Sequence, residues 1–162
     1  MSDPGWTIRK ALAAEIPAVA ALYHRVWHEI HAEHMPVSEQ QLRDEADYLR
    51  RATALMPNVI VGKVDETLGG FAAWTSHVLG QLYVEAAYRG TGLARNLMIV
   101  AECALRAQEI EKAELHCLVG NDRGRRFYER LGWSVGAVVE EPVGRDDQIE
   151  TRSFWVMTKT LS

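Results

Sequence analysis

Two glycines at a strand-to-helix junction constrain this chain more than any other feature. The apolar run Leu79-Gly80-Gln81-Leu82-Tyr83-Val84 leads to Tyr88-Arg89-Gly90-Thr91-Gly92-Leu93-Ala94, and a helical pattern then continues to about Gln108. A strand that turns sharply, loses its side chains at two glycines and enters a helix leaves several unpaired backbone N–H groups aimed at one point. The helix dipole adds partial positive charge there. Such a place binds phosphate. The spacing is not that of a dinucleotide-binding turn, which needs a third small residue where this chain has Arg95. No Gly-Lys-Ser/Thr follows to make a P-loop. The glycines predict an anion-binding strand–turn–helix unit without naming its ligand.

The remaining segments supply a sheet around that unit. Trp6-Thr7-Ile8-Arg9 alternates as a first strand. Glu15 and Pro17 mark a helix start, after which Ile16, Val19, Ala20, Tyr23, Val26, Trp27 and Ile30 recur along one face until Pro36. Ser38 caps a second helix reaching about Thr53. Asn58–Val64 is β-rich, Asp65–Gly70 carries turn chemistry, and Phe71–Trp74 returns as the second arm of a hairpin. Val78–Val84 is a strand, and the long helix after the glycines buries Leu93, Leu97, Val100, Ala101 and Ala104. Glu114–Val119 is a strand and Asp122–Leu131 a short helix stopped at Gly132. Trp133–Glu140 and Thr151–Thr160 are strands separated by the polar loop Pro142–Asp147. No repeat or linker divides the chain, so residues 1–162 read as one domain. The order β-α-α-β-β-β-α-β-α-β-β predicts an α/β fold, a mixed sheet with helices on both faces.

Composition narrows the partners. With 162 residues, 48% hydrophobic and 25% charged, the chain has the make-up of an ordinary soluble domain with an adequate core. A net charge of −4 argues against nucleic acid as the main partner, because a phosphate backbone requires a basic surface; Arg123, Arg125, Arg126 and Arg130 form one local basic group. No secretory signal is visible and no apolar run is long enough to span a bilayer, so the cytoplasm is the expected location and no membrane partner is expected. Cys103 and Cys117 have neither metal nor redox spacing and read as buried small hydrophobes in a reducing compartment.

The second informative segment is Asn121-Asp122-Arg123-Gly124-Arg125-Arg126-Phe127-Tyr128-Glu129-Arg130-Leu131-Gly132-Trp133. Arg89-Gly90-Thr91-Gly92-Leu93-Ala94 resembles the Q/R-x-x-G-x-G/A signature of the GNAT N-acetyltransferase superfamily. Asn121 with Phe127-Tyr128-Glu129 and Leu131-Gly132-Trp133 resembles its N-x5-F-Y-E-x-L-G-F/W segment. The interval between the two is long enough for the helix and strand that the family places there. The resemblance is specific between Leu79 and Trp133 and follows the element order from about Trp6 to Leu161.

The resemblance implies a mostly antiparallel sheet splayed in the middle and a single-domain enzyme using acetyl-CoA as cosubstrate. It implies that backbone N–H groups of Arg89, Gly90, Thr91, Gly92, Leu93 and Ala94 hold the CoA pyrophosphate. It also implies that Leu82, Tyr83 and Val84, on a strand splayed at a bulge, pair with the pantetheine arm, and that Asn121 reaches the arm from the far side. A β-sheet gap suits such an arm, whose amides substitute for a strand. Acyl transfer further needs an oxyanion donor, for which the N–H of Val84 is the candidate, and a proton for the departing thiolate. Tyr128 lies two helical turns beyond Asn121 on the same face, at the position matching the family's general-acid tyrosine.

Other residues leave alternatives open. Glu85, His77 and His116 are candidate bases, and a dedicated base need not exist. His24, His28, His31 and His34 recur along the first helix. They read as a half-exposed flank, as contacts to the acceptor or as metal ligands, but His28-Glu29-Ile30-His31 is one residue short of the H-E-x-x-H spacing and no metal is expected. The reading is an acyltransferase moving acetyl to a primary amine of a small molecule or peptide by direct attack in a ternary complex. A non-catalytic acyl-CoA-binding or sensor module on the same fold is the first alternative, a nucleotide-binding α/β protein the second. Both a monomer and a homodimer remain open.

Overall fold

Alternating apolar residues and short turns bring seven strands into one sheet, in a computed structural model that describes residues 5–31, 44–143 and 149–161. The strands are β1 (Trp6–Lys10), β2 (Val59–Val64), β3 (Thr67–Thr75), β4 (Val78–Val84), β5 (Lys112–Leu118), β6 (Ser134–Val143) and β7 (Glu150–Thr160). They lie in the order β1-β2-β3-β4-β5-β7-β6. Four α-helices occur among the described residues: α1 (Ile16–His31), α2 (Glu45–Leu55), α3 (Leu93–Ala107) and α4 (Asp122–Arg130). All neighbouring strands are antiparallel except β4 and β5, which run parallel and share a single ladder pair, Val78 with Glu114. The sheet is therefore mixed, mostly antiparallel and splayed in the middle, as expected.

Strand alternation divides the core into two layers. Val61, Phe71 and Tyr83 face α1 and α2, where they pack with Val19, Tyr23, Val26, Trp27 and Tyr48. Ile60, Ala72 and Val84 face α3, where they pack with Leu93, Leu97, Met98 and Leu105, and α4 leans on the same layer through Phe127 and Tyr128. Within α3 the fully buried positions are Leu93, Leu97, Met98, Ala101, Glu102 and Leu105, while Val100 and Ala104 are only partly covered. Glu102 is tolerated because Lys159 Nζ lies 2.7 Å from its Oε1 and Trp133 Nε1 donates to its Oε2 at 3.3 Å.

The structure corrects three sequence expectations and leaves a fourth outside the described residues. The turn between β2 and β3 is only Asp65 and Glu66, and Gly69 and Gly70 are strand residues. They serve close approach rather than reversal. A Cβ on Gly62 would come within 2.8 Å of Leu93, on Gly69 within 3.0 Å of Leu93 and Tyr88, and on Gly70 within 3.1 Å of Leu97. These glycines let the start of α3 sit directly on the sheet. Pro142 belongs to β6, an edge strand whose outer side needs no N–H donor; residues 144–147 of the expected loop lie outside the described residues. The described second helix is capped by Asp44, whose side chain accepts the Asp47 N–H; Pro36 and Ser38 lie outside the described residues. Cys117 is buried as expected, but Cys103 is exposed.

The expected helix start at Glu15 carries an electrostatic knot. Its carboxylate accepts from Arg9 at 2.8 and 2.9 Å, from the Leu12 N–H at 2.8 Å and from Lys63 at 3.2 Å. The Arg9 hydrogen bonds, aided by the Leu12 N–H and Lys63 and opposed by desolvation, lower its pKa from 4.5 to about 2. A carboxylate depressed in the folded state contributes stability that is complete above its unfolded pKa and lost as pH falls through the folded one. Glu15→Gln should thus be less stable than the wild type at neutral pH. The difference in urea-unfolding free energy should shrink as pH falls from about 4.5 towards about 2. A gap independent of pH would refute the assignment.

Candidate active site

Beyond Val78 and Glu114, β4 and β5 diverge and their facing edges are left without a ladder. Which groups point into the gap follows from strand parity. Glu85 N–H donates to Gly69 O at 2.9 Å, and β3 pairs with β4 in the register Phe71–Tyr83 and Gly70–Val84. Backbone groups of an antiparallel strand alternate between its two neighbours, so Tyr83 is spent on β3 while Leu82 and Val84 turn theirs towards β5. The side chain of Tyr83 is in the aromatic core, stacked on Tyr23 with ring centres 5.1 Å apart. The strand irregularity is nearer the closed end than expected. Between Gln81 and Val78, β4 spends an extra residue against β3, at Leu79–Gly80 rather than at Val84.

The gap is a cleft of about 270 Å³ that passes through the sheet, lined from β4 by Gly80, Leu82 and Tyr83 and from β5 by His116, Cys117 and Leu118. Trp27 and Ile30 of α1, Phe154 of β7, Asn121 and Tyr128 complete it. Asn121 caps α4, its Oδ1 accepting the Gly124 N–H at 3.0 Å. Its carboxamide N–H₂ is the part left to face a ligand. Tyr128 is half-buried, and burial first, then neighbouring Cys117, pushes its hydroxyl pKa up. The phenol is protonated at neutral pH and is a donor. Sequence reasoning missed Trp27, Ile30 and Phe154, whose only signal was membership of apolar stripes.

At the open end of the cleft stands the glycine turn. Gly90 has φ 77° and Gly92 φ 92°, left-handed geometry that side chains resist, and a Cβ on Gly90 would meet nothing within 4 Å. The first backbone bond of α3 runs from Asn96 N–H to Gly92 O, so the N–H groups of Leu93, Ala94 and Arg95 precede the helical ladder. Two of the predicted amides are used within the turn itself. Arg89 N–H donates to Ala86 O at 3.3 Å and Thr91 N–H to Tyr88 O at 3.4 Å. The Arg89 side chain lies 3.3 Å from Glu29 of α1 and 3.4 Å from Val84 O. The donors therefore centre on Gly92 and the first turn of α3. This set of unladdered amides beside a glycine that offers no Cβ fits a pyrophosphate, and the gap-facing edge of β4 fits an amide-bearing arm.

The three candidate bases separate. Glu85 is paired with Arg25 of α1. His116 lines the cleft, and His77 lies outside it in the turn before β4, Nε2 3.8 Å from Glu114. The histidine row does not reach the cleft where it is described. His24 stacks on Tyr48 at 4.8 Å, with its pKa lowered first by burial and then by His28. His28 meets Trp27 edge-on and its Nδ1 lies 2.9 Å from His24 O. The side chain of His31 and all of His34 lie outside the described residues. Among the described residues no three His, Cys, Asp or Glu side chains are grouped to hold a metal.

The sequence model of the acetyltransferase (GNAT) family matches residues 17–133, which include the glycine turn, α4 and all the cleft residues named above except Phe154. The chain belongs to that family. It is an acyltransferase by membership, and its fold is shared with solved structures. A GCN5-related N-acetyltransferase from Rhodopseudomonas palustris superimposes with a TM-score of 0.74 at 20% identity, over 99% of this chain and 97% of that one. The protein yncA of Salmonella typhimurium, solved with its cofactor acetyl-CoA, has a TM-score of 0.74 at 21% identity over 99% and 95%. The paia N-acetyltransferase of Thermoplasma acidophilum, in complex with coenzyme A, has a TM-score of 0.70 at 18% identity over 99% and 99%. No curated protein sequence matches this chain. No described helix is long and apolar enough to cross a membrane.

The two thiols should react differently. Burial raises the Cys117 pKa to about 11, whereas Cys103 is exposed. At neutral pH a maleimide should label Cys103 rapidly and Cys117 only on unfolding, as read by peptide mass mapping. Equal labelling rates would contradict the placement of Cys117.

Proposed function

We propose that this acyltransferase moves an acetyl group from acetyl-CoA to a primary amine of a small molecule or peptide by direct attack in a ternary complex. The observation that carries the reading is the unladdered edge of β4 lying between the first turn of α3 and Tyr128. Acetyl-CoA supplies an acyl carbon already activated as a thioester. The amides of Leu93, Ala94 and Arg95 and the open backbone at Gly92 would hold its pyrophosphate. Leu82 and Val84 would pair with the pantetheine amides as a neighbouring strand would, and the Asn121 carboxamide would close on the arm from the opposite wall.

The direction of β4 supports a reading of the remaining roles. Val84 adjoins the glycine turn, and the strand runs from there to Gly80 over ~13 Å. The Leu82 N–H, deeper in the cleft than Val84, is thus the donor proposed for the developing oxyanion. Tyr128, kept protonated by its surroundings, gives its proton to the departing thiolate. Cys103 and Cys117 are free thiols, which suits the reducing cytoplasm proposed for the enzyme.

Thiol release from acetyl-CoA, measured with butylamine, phenethylamine, putrescine, free amino acids and peptides bearing a free α-amine, tests the activity. Turnover with at least one of them is expected; binding of acetyl-CoA without turnover on any would favour a sensor. Gly92→Val forces a branched side chain into left-handed backbone and places it where the phosphates would lie. The folded variant should bind CoA at least tenfold more weakly by calorimetry, and unchanged affinity would remove the phosphate site. Tyr128→Phe deletes one hydroxyl from an otherwise unchanged ring. Its melting temperature and CoA affinity should hold while kcat falls by about 10²–10⁴-fold. A kcat within a few-fold of the wild type would make Tyr128 a packing residue.

A further inference from the structure

We propose that His116 is the base that takes the acceptor's proton, with Glu114 as its positioning residue and Glu141 as the partner of the imidazolium that forms. The inference rests on the amine-acetylating reading above. It starts from where the cleft closes. Val78 and Glu114 are the paired residues of this ladder, and Gly80 and His116, each two residues further along its strand, both line the cleft next to that closed end. An arm entering from the glycine turn and following Val84 and Leu82 delivers its reactive end there. Gly80 carries no side chain, and a Cβ added to it would meet nothing within 4 Å, so the cleft is open at Gly80.

The two faces of the sheet separate the proton-handling groups. Cys117 belongs to the core layer under α3, the layer on which Tyr128 also packs. Strand alternation puts its neighbour His116 on the other face, with α1 and its cleft residues Trp27 and Ile30. An acid serving the thiolate and a base serving the amine therefore reach the same carbon from opposite sides without touching each other.

Charged groups complete the arrangement. His116 Nε2 lies 2.8 Å from Glu114 Oε2, and Nδ1 lies 2.9 Å from Glu141 Oε1. Glu114 Oε1 is shared with His77 Nε2 at 3.8 Å. Glu114 sits on the same strand and is fixed at the closed end by the ladder, whereas Glu141 comes from the edge strand and is 40% exposed. The neutral ring has one N–H. Given to Glu114, it leaves the lone pair on Nδ1, the nitrogen whose carboxylate partner is the more displaceable. Once Nδ1 gains a proton, Glu141 receives its hydrogen bond.

The protons balance. An ammonium acceptor loses one proton to His116 Nδ1 and attacks the thioester carbon as a neutral amine; the new C–N bond forms and the C–S bond breaks. The second proton lost from nitrogen restores Tyr128, whose own proton has gone to the thiolate. The imidazolium, with its side chain 28% exposed, then releases its proton to solvent, so each turnover yields one amide, one thiol and one proton.

The test uses the intact enzyme and whichever named amine gives thiol release. His116→Gln should lower kcat by about 10²-fold, while the KM for acetyl-CoA stays within twofold and the melting temperature holds. Glu114→Gln should lower kcat less. Independently of turnover, nitrogen–proton correlation spectra of the ligand-free protein should place the neutral ring's proton on Nε2, a preference that Glu114→Gln abolishes. A kcat within threefold of wild type in folded His116→Gln, or an Nδ1–H tautomer, overturns the proposal. Absence of turnover on every amine in the wild type counts against the acetyltransferase reading instead.

Discussion

The ladder that β4 and β5 do not make governs the rest of this structure. A sheet interior normally pairs all its backbone groups, and unpaired ones exact a cost of the order of a lost hydrogen bond each. Here one ladder pair holds the two halves of the sheet together at Val78 and Glu114, and the chain then leaves Leu82 and Val84 facing a cleft. In the free protein the Arg89 side chain lies 3.4 Å from the Val84 carbonyl. A ligand with amides at strand-like spacing satisfies such backbone groups, and so the sheet's own hydrogen-bonding demand selects the kind of molecule that fits.

Positioning of the anion site depends on how little separates α3 from the sheet. Gly62, Gly69 and Gly70 remove three side chains from beneath Leu93 and Leu97. The helix start is thereby lowered onto β2 and β3, and its N–H groups emerge level with the end of β4. The buried Glu102, tied to Lys159 of β7 and to Trp133 ahead of β6, fastens the same helix to the far half of the sheet. One helix thus braces both halves across the opening.

What could be read in advance was local. Gly90, Gly92, Asn121 and Tyr128 lie within short segments whose spacing alone reports a turn or a helix face. Gly69 and Gly70 misled because a glycine pair in sequence signals a reversal as readily as a close approach, and only the packed helix distinguishes them. The grouping of His77, Glu114, His116 and Glu141 had no sequence signature. It assembles from a turn, a central strand and an edge strand, with His116 and Glu141 brought together by the antiparallel pairings of β5, β7 and β6. Tyr83 illustrates the opposite case, a residue in the right segment whose parity gives its backbone to β3 and its ring to the core.

Because the cleft lies between two strands, its lining is drawn from both hydrophobic layers. Leu82, Val84, Cys117 and Tyr128 belong to one, while Trp27 and Tyr83 belong to the other and Ile30, His116 and Leu118 open on its side. Strand geometry insulates these sets: a change of size or polarity on the α1 side alters one wall and leaves the backbone edge and the α3 side in register. The fold thereby acts as a socket with a constant rear and an exchangeable front. Changes at Ile30, Leu118 and Phe154 would reshape that front while the wall on the α3 side stays as it is.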